Sequence, residues 1–204
     1  MARRRQTPTV QSGSVADIAF LLLIFFLVTT IIETEEGLDR LLPKKETQTP
    51  EVPINDRNIL EISINNQNEL LVEEAPMDLK DLRLTAIAFL DNGGATKGET
   101  GYCSYCKGLR SPESSDYPQE AVISINTGRE SSYGFYISVQ NELVAAYNTL
   151  RDREALKTFG ESYTSMSSEY RNPQTSKDRR AFLRERIDRI QDLFPMILIE
   201  ADTK

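Results

Sequence analysis

Two features of the sequence carry side chains that could do chemistry: one carboxylate inside an apolar run, and one pair of cysteines. The run covers residues 15–32 and reads VADIAFLLLIFFLVTTII, with Asp17 as its single ionisable residue. A carboxyl group that is neutral in apolar surroundings and charged beside a polar partner can move a proton across an apolar barrier. Thr29 and Thr30 add hydroxyl groups for such a path, although threonine in a helix more often bonds its own backbone. Asp17 is therefore the first candidate site residue.

The cysteine pair, Cys103 and Cys106, has the Cys-x-x-Cys spacing and lies in a stretch rich in Gly and Ser, residues 91–117. A thioredoxin-like redox site places this spacing between a strand and a helix, and the sequence lacks that context. A metal site shared between two protomers and a pair of free thiols are further alternatives. A local disulfide, formed in an oxidising compartment, is the favoured interpretation.

The composition excludes most common enzyme classes. There is no histidine, which removes Ser-His-Asp and Cys-His catalysis and every imidazole metal site. Two cysteines are too few for a four-cysteine zinc site within one chain. After Arg3–Arg5 the chain has 21 basic and 31 acidic residues, a net charge of −10, which argues against a nucleic-acid partner. We therefore expect no enzyme activity, no cofactor and no bound metal.

The apolar run predicts a transmembrane helix. Its 18 residues would span about 27 Å as a helix, close to the ~30 Å hydrocarbon thickness of a bilayer. Acidic residues 33–36 (ETEE) follow the run where a cleaved signal peptide would have small residues. Arg3–Arg5 precede it, so the positive-inside rule predicts a cytoplasmic tail at 1–14, a span at 15–32 and an exported remainder. Asp17 lies near the cytoplasmic end, where it could instead cap the helix or reach the interface.

The run Ser14–Thr30 resembles the ExbD/TolR family of biopolymer-transport proteins, whose membrane helix has an Asp leading into Leu- and Phe-rich sequence. The family also has a hydrophobic-Leu-Pro element after the membrane exit, which Leu41-Leu42-Pro43 matches. The sequence of the apolar run is most similar to family members from Bacteroidetes-type bacteria. The resemblance implies an inner-membrane homodimer inside a ring of ExbB/TolQ-type subunits, with Asp17 as the proton carrier. It also implies a TonB-like or cell-envelope partner.

The remainder is expected to be a periplasmic tether at 33–58 and a small α+β domain at 59–204. The predicted strands are 59–64, 69–72, 121–126 and 196–201, with helices over 77–90 and 133–150. The second helix carries an apolar stripe that we assign to the core: Tyr136, Val139, Leu143, Tyr147 and Leu150. The fold class is therefore a single-pass membrane protein with a compact α+β domain outside the membrane.

Two insertions, at about 91–117 and 155–194, depart from the short family pattern. In the second, Leu183, Ile187, Ile190 and Phe194 predict the apolar face of a helix. Arginines at 179, 180, 184, 186 and 189 alternate with acidic residues, so we expect a solvated, salt-bridged helix face.

Three functions are compatible with these features. The leading hypothesis is a stator subunit that couples proton flow through Asp17 to TonB-dependent transport across the outer membrane. A membrane-anchored periplasmic adaptor without a proton cycle is the first alternative. An anchored thiol–disulfide oxidoreductase that uses Cys103 and Cys106 is the second.

Overall fold

The computed structural model describes residues 12–29, 55–99 and 101–201. The chain divides into two compact units, Met1–Arg40 and Leu41–Lys204. Among the described residues, the first contains one helix, and the second contains a mixed sheet, four α-helices and one short 3₁₀ helix.

In the first unit, helix α1 covers Ser12–Thr29 and begins three residues before the predicted span. Its described apolar side chains, from Val15 to Phe26, are exposed on all sides of the helix. No helix in the described ranges is both long enough and apolar enough to cross a membrane. The last part of the predicted span, residues 30–32, lies outside the described residues.

The second unit is built on a five-stranded sheet in the order β3-β2-β1-β4-β5. The antiparallel pairs are β1 with β2 and β2 with β3, whereas β1 with β4 and β4 with β5 are parallel. The strands are β1 (Ile59–Ile64), β2 (Leu70–Val72), β3 (Ala75–Met77), β4 (Val122–Thr127) and β5 (Leu198–Ala201).

Two helices, α2 (Leu79–Leu90) and α3 (Tyr133–Phe159), pack with the sheet around the main core. Alternate strand residues supply the sheet's share of this core, as the two-residue period of a strand requires. Inward residues of β1 and β4 are Leu60, Ile62, Ile64, Ile123 and Ile125. The predicted α3 stripe from Val139 to Leu150 is buried, which confirms its assignment to the core.

The structure confirms the predicted hairpin, the two long helices and the strand before α3, and it corrects two boundaries. The first helix, predicted from residue 77, begins at Leu79 after the N-cap residue Asp78, and Pro76 and Met77 belong to strand β3. β3 is an edge strand and pairs on one side only, so it tolerates a residue without an N–H group. Helix α3 runs nine residues beyond its predicted end and stops at Gly160, whose φ of +73° glycine adopts without strain.

The second insertion forms a helical subdomain. The end of α3 packs with α4 (Tyr163–Arg171) and α5 (Lys177–Leu193) around a separate small core. The predicted α5 stripe from Leu183 to Phe194 is buried, as expected.

The salt bridges of this subdomain differ from the expected pattern. Arg179 pairs with Glu169 and Glu161, and Arg186 pairs with Glu161, so these arginines contact residues outside α5. Within α5, Arg184 pairs with Asp188 at 3.7 Å, as the interleaved charges predict. Arg179 therefore joins α5 to α4 through Glu169, and both Arg179 and Arg186 join α5 to Glu161 in the loop before α4.

The predicted tether lies outside the described residues except for its last four, 55–58. Asp56–Asn58 form a 3₁₀ turn, and the Arg57 guanidinium pairs with the Asp116 carboxylate at 2.8 Å. The Asn58 side chain is buried and accepts a 2.9 Å hydrogen bond from the backbone N–H of Asp116. Residues 56–58 are therefore a turn that is held to the domain through Arg57 and Asn58.

Candidate functional site

Asp17 is the sixth residue of α1, and its side chain is exposed within the first unit. Its neighbours along the helix from Val15 to Phe26 are otherwise apolar. Thr29 is the last helical residue, about 18 Å further along the axis, so the structure does not bring it close to Asp17. The side chain of Thr29 and the whole of Thr30 lie outside the described residues. The described part of this candidate site is one carboxylate on an apolar helix.

Cys103 and Cys106 form a disulfide bond with their Cα atoms 5.5 Å apart. Their exposed fractions are 3% and 6%, so the bond is closed off from solvent. The Arg110 guanidinium donates hydrogen bonds to the main-chain carbonyls of Cys103 at 3.0 Å and Cys106 at 3.3 Å. Catalytic disulfides have an accessible sulfur, often at the start of a helix, whereas this one is a buried crosslink within a loop. The geometry therefore does not favour the oxidoreductase hypothesis.

Tyr105, between the two cysteines, links the first insertion to the second. Its hydroxyl donates a 2.8 Å hydrogen bond to the Leu193 carbonyl and accepts a 2.7 Å bond from the Gln119 amide. Its ring meets the Phe194 ring edge to face, with the centroids 5.4 Å apart. Burial raises the pKa of Tyr105 to about 12, and nearby Glu154 and Asp91 add to the rise while the Gln119 hydrogen bond opposes it.

Two arginines on α3 contact the same region, where the first and second insertions meet. Arg153 makes a two-pronged ion pair with the buried Asp91 carboxylate, at 2.6 and 2.7 Å. Arg151 is 3% exposed and donates two hydrogen bonds to the Phe194 carbonyl, at 3.0 and 2.6 Å. Its guanidinium also lies 5.5 Å from the ring centroid of Tyr147 and 5.2 Å from that of Tyr163. Each arginine therefore ties α3 to one of the two insertions.

The sequence did not predict these contacts between α3 and the two insertions. The one feature that points to them is that the buried stripe of α3 continues past Leu150 through Arg151, Glu154 and Ala155, which are all buried. Charged residues at core positions of a helix indicate specific partners, because an unpaired buried charge is costly. Within the described ranges, no group of three or more Cys, Asp or Glu side chains could hold a metal ion.

The sequence model of the family described as biopolymer transport protein ExbD/TolR matches residues 3–151, well over half of the chain. The chain belongs to the ExbD/TolR family. A comparison with curated proteins gives no match. The matched segment includes α1, the first insertion and the sheet up to β4, and it ends inside α3 at Arg151.

Membership of the ExbD/TolR family supports a role in energy-transducing biopolymer transport. It implies a single-pass inner-membrane protein with a periplasmic domain, and partnership with ExbB/TolQ-type and TonB-like proteins. The second insertion and β5 lie beyond the matched segment, yet β5 pairs with β4 and completes the sheet. The helical subdomain is therefore an addition between two parts of one continuous fold.

Proposed function

We propose that the chain is a stator subunit driven by the proton-motive force, with Asp17 as the proton-carrying residue. The observation that carries the proposal is that Asp17 is the single ionisable residue of helix α1 and lies in its apolar run, in an ExbD/TolR family member. In this arrangement 15–32 spans the inner membrane, 1–14 is cytoplasmic and the second unit is periplasmic. Two copies place their helices inside a ring of ExbB/TolQ-type subunits, as the resemblance to the ExbD/TolR family implies, and the run is most similar to Bacteroidetes-type members of that family.

The cycle depends on the difference in free energy between charged and neutral Asp17 in apolar surroundings. The carboxylate takes a proton from the periplasmic side, loses its charge and turns or shifts against the ring. It then releases the proton to the cytoplasm. The hydroxyls of Thr29 and Thr30 serve the periplasmic part of the path. Each charge that crosses 100 mV supplies about 2.3 kcal/mol, to which the pH gradient adds.

The second unit passes this work to a TonB-like or cell-envelope partner, through the chain that joins the two units. Coupling of this kind requires a periplasmic unit that moves as one body. The Tyr105 contact joins its two insertions to each other, the Arg151 and Arg153 contacts join them to α3, and all three support that requirement.

The test is proton uptake by sealed vesicles that contain the chain and its co-expressed ring partner. Wild type is compared with Asp17→Asn, which keeps the size of the side chain and removes the titratable group. We expect uptake in wild type and none in the variant, with equal amounts of ring complex recovered. Glu33→Gln is the matched control, because it removes a carboxylate just after the span, and it should conduct like wild type.

Equal proton flux in wild type and Asp17→Asn would contradict the proposal. Replacing residues 15–32 with an unrelated apolar helix separates a stator from the alternative adaptor. A stator should lose energised transport after this exchange, whereas an adaptor that uses the helix only as an anchor should tolerate it.

A further inference from the structure

An open groove of about 670 Å³ lies where strands β2 and β3 meet the first turn of α2. Its apolar lining comes from Leu70 on β2, Pro76 and Met77 on β3, Leu79 at the start of α2 and Phe135 on α3. Leu70 is buried, Pro76 is exposed, and the other three are partly exposed and pack against the main core. The floor of the groove is therefore continuous with the main core and offers an apolar surface to a ligand.

The rim of the groove is acidic. Glu69, Asp78 and Asp81 line it, and none of the described residues that line the groove is basic. Asp78 pairs with Lys80 at 2.7 Å, but both side chains are about 70% exposed, so an incoming cation can compete for this carboxylate. The groove thus combines an apolar floor with three carboxylates in water.

The acidic charge of the groove is confined to its rim. Glu61, Glu73 and Glu74 lie at the opposite end of β1 and β2, because Ile64 pairs with Leu70 whereas Ile62 pairs with Val72. Helix α5, by contrast with the rim, has six basic and four acidic residues. Glu69, Asp78 and Asp81 are therefore the charges that would attract cations to the groove and repel anionic lipids, glycans and nucleic acids.

The edge strand beside the groove limits how a partner can bind. A peptide that adds a strand to a sheet needs a row of free main-chain donors and acceptors. β3 has three residues, and the central one is Pro76, which has no N–H group. Side-chain contacts in the groove are the remaining way to hold an extended segment here.

We propose that this groove binds a basic segment of a partner protein, in which Lys or Arg residues alternate with aliphatic ones. The aliphatic side chains would pack on Met77 and Phe135, while the cations would pair with Asp78 and Asp81. The groove belongs to the second unit and does not include Asp17, so this binding does not depend on a proton cycle.

The test uses the full chain in an uncharged detergent and a fluorescein-labelled peptide of repeating Lys, Leu and Pro residues. Fluorescence anisotropy measures the affinity. We expect saturable binding that weakens as the salt concentration rises, because the carboxylates are exposed. Peptides with Glu in place of Lys, or Ser in place of Leu, should bind much more weakly. Equal binding of the Lys-Leu and Lys-Ser peptides would overturn the proposal, since it would indicate attraction to the overall negative charge alone.

The double variant Asp78→Asn/Asp81→Asn should bind the Lys-Leu peptide about fivefold more weakly or worse. Asn is as good an N-cap residue as Asp, so α2 should be retained. The matched control, Glu185→Gln/Asp192→Asn, removes the same charge from α5 and should leave the affinity unchanged. A loss of the same size in both variants would overturn the proposal. Asp17→Asn should bind like wild type, which separates this result from the outcome of the proton-uptake test.

Met77→Gln tests the apolar floor separately. It places an amide of similar length on the floor and leaves every charge in place. We expect weaker binding of the Lys-Leu peptide and no change for the Lys-Ser peptide, and equal losses for both peptides would contradict a specific contact with the floor.

Discussion

The Tyr105 hydroxyl lies 2.8 Å from the main-chain oxygen of Leu193, a residue 88 positions further along the chain, and this contact joins the two insertions. The disulfide on either side of Tyr105 fixes the loop that presents it. On the other side, Leu193 is the last residue of α5, whose final carbonyl groups have no partner within the helix. The Tyr105 hydroxyl therefore gives a main-chain carbonyl at the end of α5 a hydrogen-bond partner and joins the two insertions.

Removing this hydroxyl should destabilise the second unit. Tyr105→Phe keeps the ring contact with Phe194 but leaves the Leu193 carbonyl and the Gln119 amide without their shared partner. We expect the free energy of unfolding to fall by about 1 kcal/mol, measured by urea denaturation of the full chain with circular dichroism. Tyr102→Phe is the control, because Tyr102 lies on the same loop with an exposed ring. A change of equal size in the control would contradict the role of the Tyr105 hydroxyl.

Arg151 should have a larger effect, since its guanidinium is buried and makes two hydrogen bonds to one carbonyl. Arg151→Met keeps much of the side-chain volume and leaves the Phe194 carbonyl unpaired. We expect a loss of about 2 kcal/mol in the free energy of unfolding. Arg184→Met removes an exposed arginine that pairs with Asp188 and should cost less than about 0.5 kcal/mol. If the two variants were equally stable, the buried contacts of Arg151 would have no structural role.

The sequence predicted the central part of the fold because that part follows local periodicity. Alternation in 59–64 and the helical stripe of α3 each reflect one buried face, and one face is enough to assign a strand or a helix. The end of α3 was missed because Arg151 and Glu154 occupy core positions there. Charged residues interrupt an apolar pattern, even where tertiary partners make them part of the core.

The candidate sites also differ in how far the sequence alone predicts them. Asp17 stands out in the sequence alone, because a charge in an apolar run is visible without any knowledge of contacts. The groove between β2, β3 and α3 was not predicted, since Leu70, Met77 and Phe135 become neighbours only after the sheet and α3 have formed. The contact between Tyr105 and Leu193 was not predicted either. It joins two segments far apart in the chain, and no sequence pattern links them.

The disulfide gives a prediction about chemistry as well as stability. Iodoacetamide added to the denatured oxidised chain should label neither cysteine, and both should be labelled when reductant is added as well. Mass spectrometry counts the labels. The double variant Cys103→Ala/Cys106→Ala should lose about 2 kcal/mol, as expected for a short crosslinked loop. Labelling of the oxidised chain without reductant would show free thiols and contradict the crosslink.

The dependence of the unfolding free energy on alkaline pH is a second test of the environment of Tyr105. Burial raises the pKa of Tyr105 from 10.0 to about 12, so the folded state favours the neutral phenol more strongly than the unfolded chain does. The corresponding stabilisation is complete below pH 10 and is lost as the pH rises towards 12, because the unfolded state releases its proton first.

Titrating the unfolding free energy of wild type and Tyr105→Phe between pH 8 and pH 12 isolates this contribution, since Lys and the other Tyr residues titrate in both proteins. We expect the stability advantage of wild type over the variant to hold up to about pH 10 and to shrink above it. A constant difference across the range would mean that the Tyr105 phenol titrates alike in the folded and unfolded chain. Its hydroxyl would then not be enclosed between the loop and the end of α5.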